Sequence, residues 1–368
     1  MESDDLASLV RYIMYTNNLE NQGLIYTSSK FHWEGDGKNT SFFLPDREYE
    51  TPQTSWRPTG ITTIQDHLLN AYAQVYPNLR VHDSTYPTPE ALASITKVGN
   101  VDFDGKMTKD TEGSDLIKTL ILDEAPRTLY LQAWGGTTTI ARALKSISDE
   151  QSSSPSWNTT KSHISSKVVI LASGFQDNTY AEQIAPNWPA LRVEELSDPS
   201  DGNIGGWGGR RKQNSTSPDL WVLVDKEVGS NGSEVENWTT DRWVAAAQND
   251  FAARMQWTLT SEYAGANHAP SIKIAGPQAI KARAGSTVKL SAQVGDPDGD
   301  QVTVSWWQYL KEGTYSNKLE INGAADNSVT VGVPADAKSR QTISVIAQAT
   351  DDGQFQLTRY GRGFIEVL

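Results

Sequence analysis

The sequence predicts an α/β domain built on a parallel sheet, followed by an all-β sandwich of immunoglobulin-like design. Three observations carry this reading. Strand-like and helix-like segments alternate from residue 1 to about residue 265. The apolar run Lys167-Val168-Val169-Ile170-Leu171 has the composition of a strand buried on both faces. After Asn267-His268-Ala269-Pro270 the pattern changes to short strands in which apolar and polar residues alternate. The domains are therefore placed at 1–265 and 266–368, since 368 residues are too many for one ordinary core.

The elements follow in order. Leu6, Leu9, Val10, Ile13 and Met14 recur at helical spacing and make a first helix. Gly23-Leu24-Ile25-Tyr26-Thr27 is a buried strand, and a polar, aromatic loop runs from about Lys30 to Pro58. A helix is expected over Thr62 to Tyr76, with Ile64, Leu68, Leu69, Tyr72 and Val75 on one face, then a short strand at Leu79-Arg80-Val81. Helices at 115–122 and 140–147 flank a strand at 128–132. Gln151 to Ser166 is so rich in serine that a loop is expected. A glycine-rich stretch covers 202–209, and a long helix covers Trp243 to Trp257. In the second domain, strands are expected at 288–292, 302–306, 329–331 and 343–347. Gly295-Asp296-Pro297-Asp298-Gly299-Asp300 and Asp351-Asp352-Gly353 are turns between them. Of Trp306 and Trp307, adjacent in one strand, one must face the core.

Composition narrows the function. A formal charge of −13 argues against a nucleic-acid binder, which needs a basic face, and against an anionic membrane surface. No apolar run is long enough to span a bilayer. With no cysteine, disulfides, thiolate zinc sites and cysteine nucleophiles are excluded. Five Asn-x-Ser/Thr sequons, at Asn39, Asn158, Asn214, Asn231 and Asn237, are acceptors only in a secreted chain.

Several groups are candidates for chemistry. Asp4 and Asp5 head the first helix, where carboxylates cap free N–H groups; as a pair they also suit a hard metal such as Ca²⁺. Trp134-Gly135-Gly136-Thr137-Thr138-Thr139 joins a strand to a helix, so it lies at the sheet's carboxyl edge, where α/β ligands bind. Gly205-Gly206-Trp207-Gly208-Gly209-Arg210 offers one flat aromatic plate in a glycine loop, suited to a sugar ring or to anchoring the loop. Asn249-Asp250 lies in the late helix, where Asp250 is either solvated or a third carboxylate for a metal. His32 and His268 are possible general acids. Asp296, Asp298 and Asp300 are read as turn formers, with a calcium loop as the alternative.

Taken in order, Asp4-Asp5-x-x-Ser8-Leu9-Val10-Arg11-Tyr12, Trp134-Gly135-Gly136, Gly206-Trp207-Gly208-Gly209-Arg210, Gln248-Asn249-Asp250-Phe251-Ala252-Ala253-Arg254-Met255, Glu262-Tyr263-x-x-Ala266-Asn267-His268-x-Pro270, the Gly295–Asp300 turn and Trp306-Trp307-Gln308-Tyr309 resemble one family. It is that of bacterial and fungal cellulose-binding proteins in which a nucleoside-hydrolase-like domain precedes a β-sandwich. The resemblance covers nearly the whole chain. It implies a nucleoside-hydrolase-like, Rossmann-like sheet in the first domain. It also implies one Ca²⁺ at the carboxyl edge, holding sugar hydroxyls and a water that a carboxylate deprotonates for attack on the anomeric carbon. Carried onto this chain, the resemblance makes Asp4 the catalytic carboxylate and Asp5, Thr138 and Asp250 the metal ligands, Thr138 through its carbonyl. Trp134, Trp207, Arg210 and Asn249 become substrate contacts. The family's leading acidic residues, and the strand bearing them, are expected before Met1. The expected function is hydrolysis of glycosyl or N-glycosyl bonds by a secreted protein. The alternatives are a non-catalytic cellulose or polysaccharide binder, and a structural cell-surface protein. No nucleic-acid or membrane partner is expected.

Overall fold

A computed structural model describes residues 3–43, 45, 49–58, 60–195, 211–213, 220–223, 226–228, 233–236, 238–277 and 279–368. For residues 3–5, 238–241 and 311 and the strands between 211 and 236, the backbone path alone is described. The chain divides into two units, one of residues 1–76 and 85–241, the other of residues 77–84 and 242–368.

The first unit is α/β. Its strands are β1 (Leu24–Tyr26), β2 (Thr96–Val98), β3 (Leu129–Ala133), β4 (Val168–Ala172), β5 (Arg192–Glu195), β6 (Arg211–Gln213), β7 (Leu220–Leu223), β8 (Lys226–Val228) and β9 (Glu234–Glu236). β1 and β2 form a parallel pair, with Leu24 opposite Thr96. A five-stranded sheet has the order β3-β4-β5-β7-β6, parallel except for β6, and β8 pairs with β9. β4 is buried on both faces, with Val168, Ile170 and Ala172 fully covered and Val169 at 6% exposure, as its unbroken apolar run requires. β3 alternates instead: Leu129, Leu131 and Ala133 are buried, while Tyr130 is 60% exposed.

The helices are α1 (Ser3–Met14), α2 (Thr63–Asp66), α3 (Ala73–His82), α4 (Pro89–Ser94), α5 (Glu112–Leu122), α6 (Thr138–Gln151), α7 (Trp157–Lys167), α8 (Ala185–Asn187) and α9 (Trp238–Trp257). α5 starts with a capping box in which Thr111 and Ser114 each satisfy the other's backbone N–H. Ile117, Ile121, Ile140, Leu144, Ile147 and Ile164 close the core over β3 and β4.

Three elements differ from expectation. Leu79-Arg80-Val81 is helical, not a strand: Leu79 and His82, three apart, are buried while Val81 is 40% exposed. Three residues are too few to show which period they follow. Leu69 is exposed because a π-turn over His67–Tyr72 joins α2 to α3. Its extra residue puts Ile64, Leu68 and Tyr72, at steps of four, on the buried face. The serine-rich stretch forms α7, which Trp157 and Ile164 hold to the core. Buried Lys167 ends this helix and caps α5, donating to the carbonyls of Leu120 at 2.8 Å and Asp123 at 2.6 Å.

The second unit is a β-sandwich. Its strands are β10 (Ser271–Ile274), β11 (Ala279–Ala282), β12 (Thr287–Gly295), β13 (Thr303–Gln308), β14 (Ile321–Asn322), β15 (Ser328–Gly332), β16 (Thr342–Thr350) and β17 (Thr358–Val367). They form two four-stranded sheets, β10-β12-β15-β14 and β11-β17-β16-β13. Alternate residues point inward from both sheets, among them Val288, Leu290, Val329, Val331, Ile343, Val345 and Ile365. Trp306 is the inward member of its pair, and its indole N–H donates to the Asp326 carbonyl at 2.8 Å. Trp307 packs against Trp243, ring centres 5.7 Å apart.

Candidate functional site

Parallel strands deliver their following loops to one edge, so the first unit's site is built there. Thr27, Ser28 and Ser29 follow β1, Gly99 and Asn100 follow β2, Trp134 to Thr137 follow β3, and Ser173 to Asp177 follow β4. Asn100 is the hub. Its side-chain amide donates to Ser28 Oγ at 3.1 Å and Thr138 Oγ1 at 3.0 Å, and its backbone N–H to Thr139 Oγ1 at 2.8 Å. Thr27 and Thr139 share a hydroxyl contact at 3.0 Å. The Gly136 N–H donates to the Ser28 carbonyl at 3.0 Å, which ties the β1 end to the β3 end.

Asp177 sits over the start of α6, where the helix dipole and free N–H groups favour a carboxylate. One oxygen accepts from the Thr138 N–H at 3.1 Å. The other accepts from the Thr179 N–H at 2.9 Å and from the hydroxyls of Thr179 at 2.6 Å and Thr137 at 3.2 Å. Only glycine fits at 136: a Cβ there would lie 2.1 Å from Asp177 Oδ2 and 2.7 Å from the Ser28 carbonyl oxygen.

The aromatic loop after β1 is tied to this edge. The Lys30 N–H donates to the Gln176 carbonyl at 2.6 Å, and the Glu34 N–H to the Val101 carbonyl at 2.7 Å. Phe42 stacks on Phe103 at 3.9 Å, Trp33 meets Phe103 edge-on at 5.0 Å, and Tyr49 lies 4.9 Å from Trp56. Phe43, edge-on to Tyr49, is 49% exposed.

Asp4 and Asp5 fall in the first turns of α1, where the backbone path alone is described. Trp134 is half-buried; its indole N–H donates to Gln132 Oε1 at 3.1 Å, and Tyr12 meets its ring edge-on at 6.2 Å. Thr138 is fully buried as the first residue of α6. Trp207 and Arg210 lie outside the described residues. Asn249, half-buried, and Asp250 lie in the part of α9 that belongs to the second unit. There Asp250 accepts from Arg254 Nε at 2.9 Å and pairs with Arg359 Nη2 at 2.7 Å. The side chains of Thr138, Asp177 and Asp250 are thus all engaged by protein partners. The described side chains of the strand ends do not compose a calcium shell.

Reading strand ends would have found Asp177 and Asn100, since each follows a strand by a few residues. Neither belongs to a run that draws the eye. Among the described residues, one group of acidic or histidine side chains comes close enough to share a cation. It consists of Asp296, Asp298 and Asp300 of the second unit, with one oxygen of each within 4.8 Å of the others. Among the described residues, no helix is long and apolar enough to cross a membrane.

Residues 1–220 match the family model described as "Cellulose-binding Sde182, nucleoside hydrolase-like domain". Residues 287–367 match that described as "Cellulose-binding protein Sde0182, C-terminal domain". Among solved structures, the chain resembles a nucleoside hydrolase-related hypothetical protein from Saccharophagus degradans, described as associated with carbohydrate metabolism. The two are 27% identical, the match covers 99% of this chain and 96% of that one, and the TM-score is 0.76. A match to three N-terminal domains of the bacteriophage RB49 outer capsid protein Hoc covers 27% of this chain and 30% of that one at 11% identity. Its TM-score of 0.20 carries no argument. No curated protein matches.

Proposed function

The chain belongs to the Sde182-type cellulose-binding family with a nucleoside-hydrolase-like domain, and from that premise we propose that it is a non-catalytic carbohydrate-binding protein. Its ligand is a cell-wall polysaccharide, and it acts outside the cell. The observation that carries this reading is a cluster of partly exposed aromatic rings tied to the strand ends, where ligands of this fold class bind. Ser28, Asn100, Thr138 and Thr139, all buried and bonded to one another, brace the strand ends from within. Phe42, Phe43 and Trp56 of the loop after β1, with Phe103 after β2, offer the partly exposed flat faces, and buried Trp33 and Tyr49 pack against them. A sugar ring presents C–H groups across its face, and flat aromatic rings of this kind pack against them. The named carboxylate, Asp177, is taken up by N–H and hydroxyl donors of the protein, which supports a scaffolding role over attack on a bond.

The test is retention of the full chain on insoluble cellulose, with soluble glucans as competitors. Aryl glycosides and nucleosides are assayed alongside. Retention relieved by glucan, with no release of sugar or base, is expected. Turnover of either substrate class would restore the hydrolase reading, and failure to bind any polysaccharide would remove the carbohydrate one. Recovery of the tagged native protein from the medium of its source cells checks the extracellular assignment.

A further inference from the structure

The acidic end of the sandwich is assembled by strand register. Thr303, the first residue of β13, is opposite Thr350, the last of β16. The loop before β13, with Asp296, Asp298 and Asp300, therefore lies beside the loop after β16, with Asp351 and Asp352. Asn267, in the segment leading to β10, donates its side-chain amide to Asp351 Oδ1 at 3.2 Å and the Gln354 carbonyl at 2.7 Å. Gly353 permits this approach: a Cβ there would fall 2.1 Å from Asp300 Oδ2 and 2.6 Å from Asn267 Nδ2.

The hydrogen bonding of this cluster is lopsided. Asp351 is 3% exposed, and its Oδ1 takes three N–H groups, from Asn267, Gly353 and Leu357. Its Oδ2 is buried with no partner. Asn267 is 7% exposed, and its Oδ1 is likewise buried with no partner. Asp296 Oδ1 accepts from the N–H groups of Asp298 and Asp300, while its buried Oδ2 accepts nothing. Three buried oxygens from three segments of one unit thus lack a donor, and an unmade bond of that kind is costly. Asp298 differs, because both its oxygens are held by His268, through the backbone N–H at 2.6 Å and Nδ1 at 3.0 and 3.1 Å. Burial, then Asp296, Asp351, Asp352 and Asp298, push the Asp300 carboxyl up, and burial does the same to Asp351. Crowding of this kind is what a bound cation relieves.

We propose that this cluster is a calcium site: Asp296 and Asp300, whose oxygens lie within 4.8 Å of each other, are its first carboxylate ligands, and the partnerless oxygens of Asp351 and Asn267 complete the shell as the ion draws the loops in, while Asp298 stays with His268. All four donors are hard oxygens on loops, with no nitrogen or sulfur, which suits calcium better than zinc or copper. The ion locks the segment before β10 to two loops of the sandwich. The site is separate from the carbohydrate-binding edge and does not depend on that assignment.

The test uses the full chain, stripped with chelator and titrated with calcium by calorimetry and by thermal unfolding. Wild type is compared with Asp300→Asn and Asp351→Asn. One calcium per chain and a calcium-dependent rise in Tm are expected, at dissociation constants of about 10⁻⁴ to 10⁻³ M or tighter. Each variant should weaken binding at least about tenfold, about the loss of one charged ligand. If Asp351→Asn fails to fold because its loop bonds are lost, Asp300→Asn decides, since the Asp300 carboxylate receives no described hydrogen bond. Without calcium, Asp300→Asn should melt no lower than wild type, because it removes a crowded charge. No heat and no change in Tm at about 10 mM calcium, well above that range, would overturn the proposal. So would unchanged binding in both variants, or an equal response to magnesium.

Discussion

Asp177 of the α/β unit and Asp351 of the sandwich are both buried carboxylates, 5% and 3% exposed. Their surroundings differ. Both oxygens of Asp177 are taken, by the Thr138 N–H on one side and by Thr179 and Thr137 on the other. Asp351 has one saturated oxygen and one bare one. The first arrangement is complete without a ligand, and its role is to hold α6 and two strand ends in place. The second is complete only with something added. For a buried acid, then, the informative quantity is which of its oxygens remain unspent. Sequence proximity of carboxylates is a poorer guide.

The sharpest way to break this comparison is Asp177→Ala. It leaves the buried N–H groups of Thr138 and Thr179 without acceptors and removes the cap of α6. A loss of about 3 kcal/mol is expected in urea unfolding. A stable variant that instead lost calcium binding would show Asp177 to be a ligand and the comparison to be inverted. Gly136→Ala tests the same framework by crowding. Its methyl would meet a carboxylate and the Ser28 backbone carbonyl, so about 2 kcal/mol is expected. Asp177→Ala in that background should give less than the sum, because the two changes share a neighbour.

Much of the fold was legible. The unbroken 167–171 run marked a central strand, and the alternation of Val288, Leu290 and Ala292 marked a sandwich face. Leu79–Val81 was not legible, since so short a stretch carries no period. Nor was α7, whose two core residues, Trp157 and Ile164, are seven apart among serines and threonines. At the site, the glycines after β3 announced a close approach. Asp177 was silent, being one aspartate in a loop. Asp351 joined Asp296 and Asp300 only through the pairing of β13 with β16, which no local pattern contains.

Titration gives a graded test of the sandwich cluster. Asp300 and Asp351 are raised above the ordinary 3.8, with Asp296, Asp298 and Asp352 facing Asp300. Between that value and their raised values, the native state holds protons that the unfolded chain has released. Without calcium, this pair's contribution to stability is present below the ordinary value and is lost as pH rises through the folded values. Saturating calcium should reverse that slope, because the ion requires both groups ionised. Thermal melts across the acid range, with chelator and with calcium, read both limbs. Parallel curves would mean that the unspent oxygens hold no ion.

The smallest effect on stability is expected from Phe43→Ala, and it bears on the other half of the comparison. The buried, mutually bonded polar cluster at the strand ends offers a ligand few free donors, so the aromatic loop must supply much of the contact. Phe43 is the loop's exposed ring, 49% accessible and touching Tyr49 only by its edge at 6.0 Å. Its removal should change unfolding free energy by no more than about 0.5 kcal/mol. Retention on cellulose should nevertheless fall several-fold, because a flat apolar face is what a sugar ring packs against. A variant that loses stability while keeping its retention would make the ring part of the loop's own core. The polysaccharide contact would then lie elsewhere on the chain.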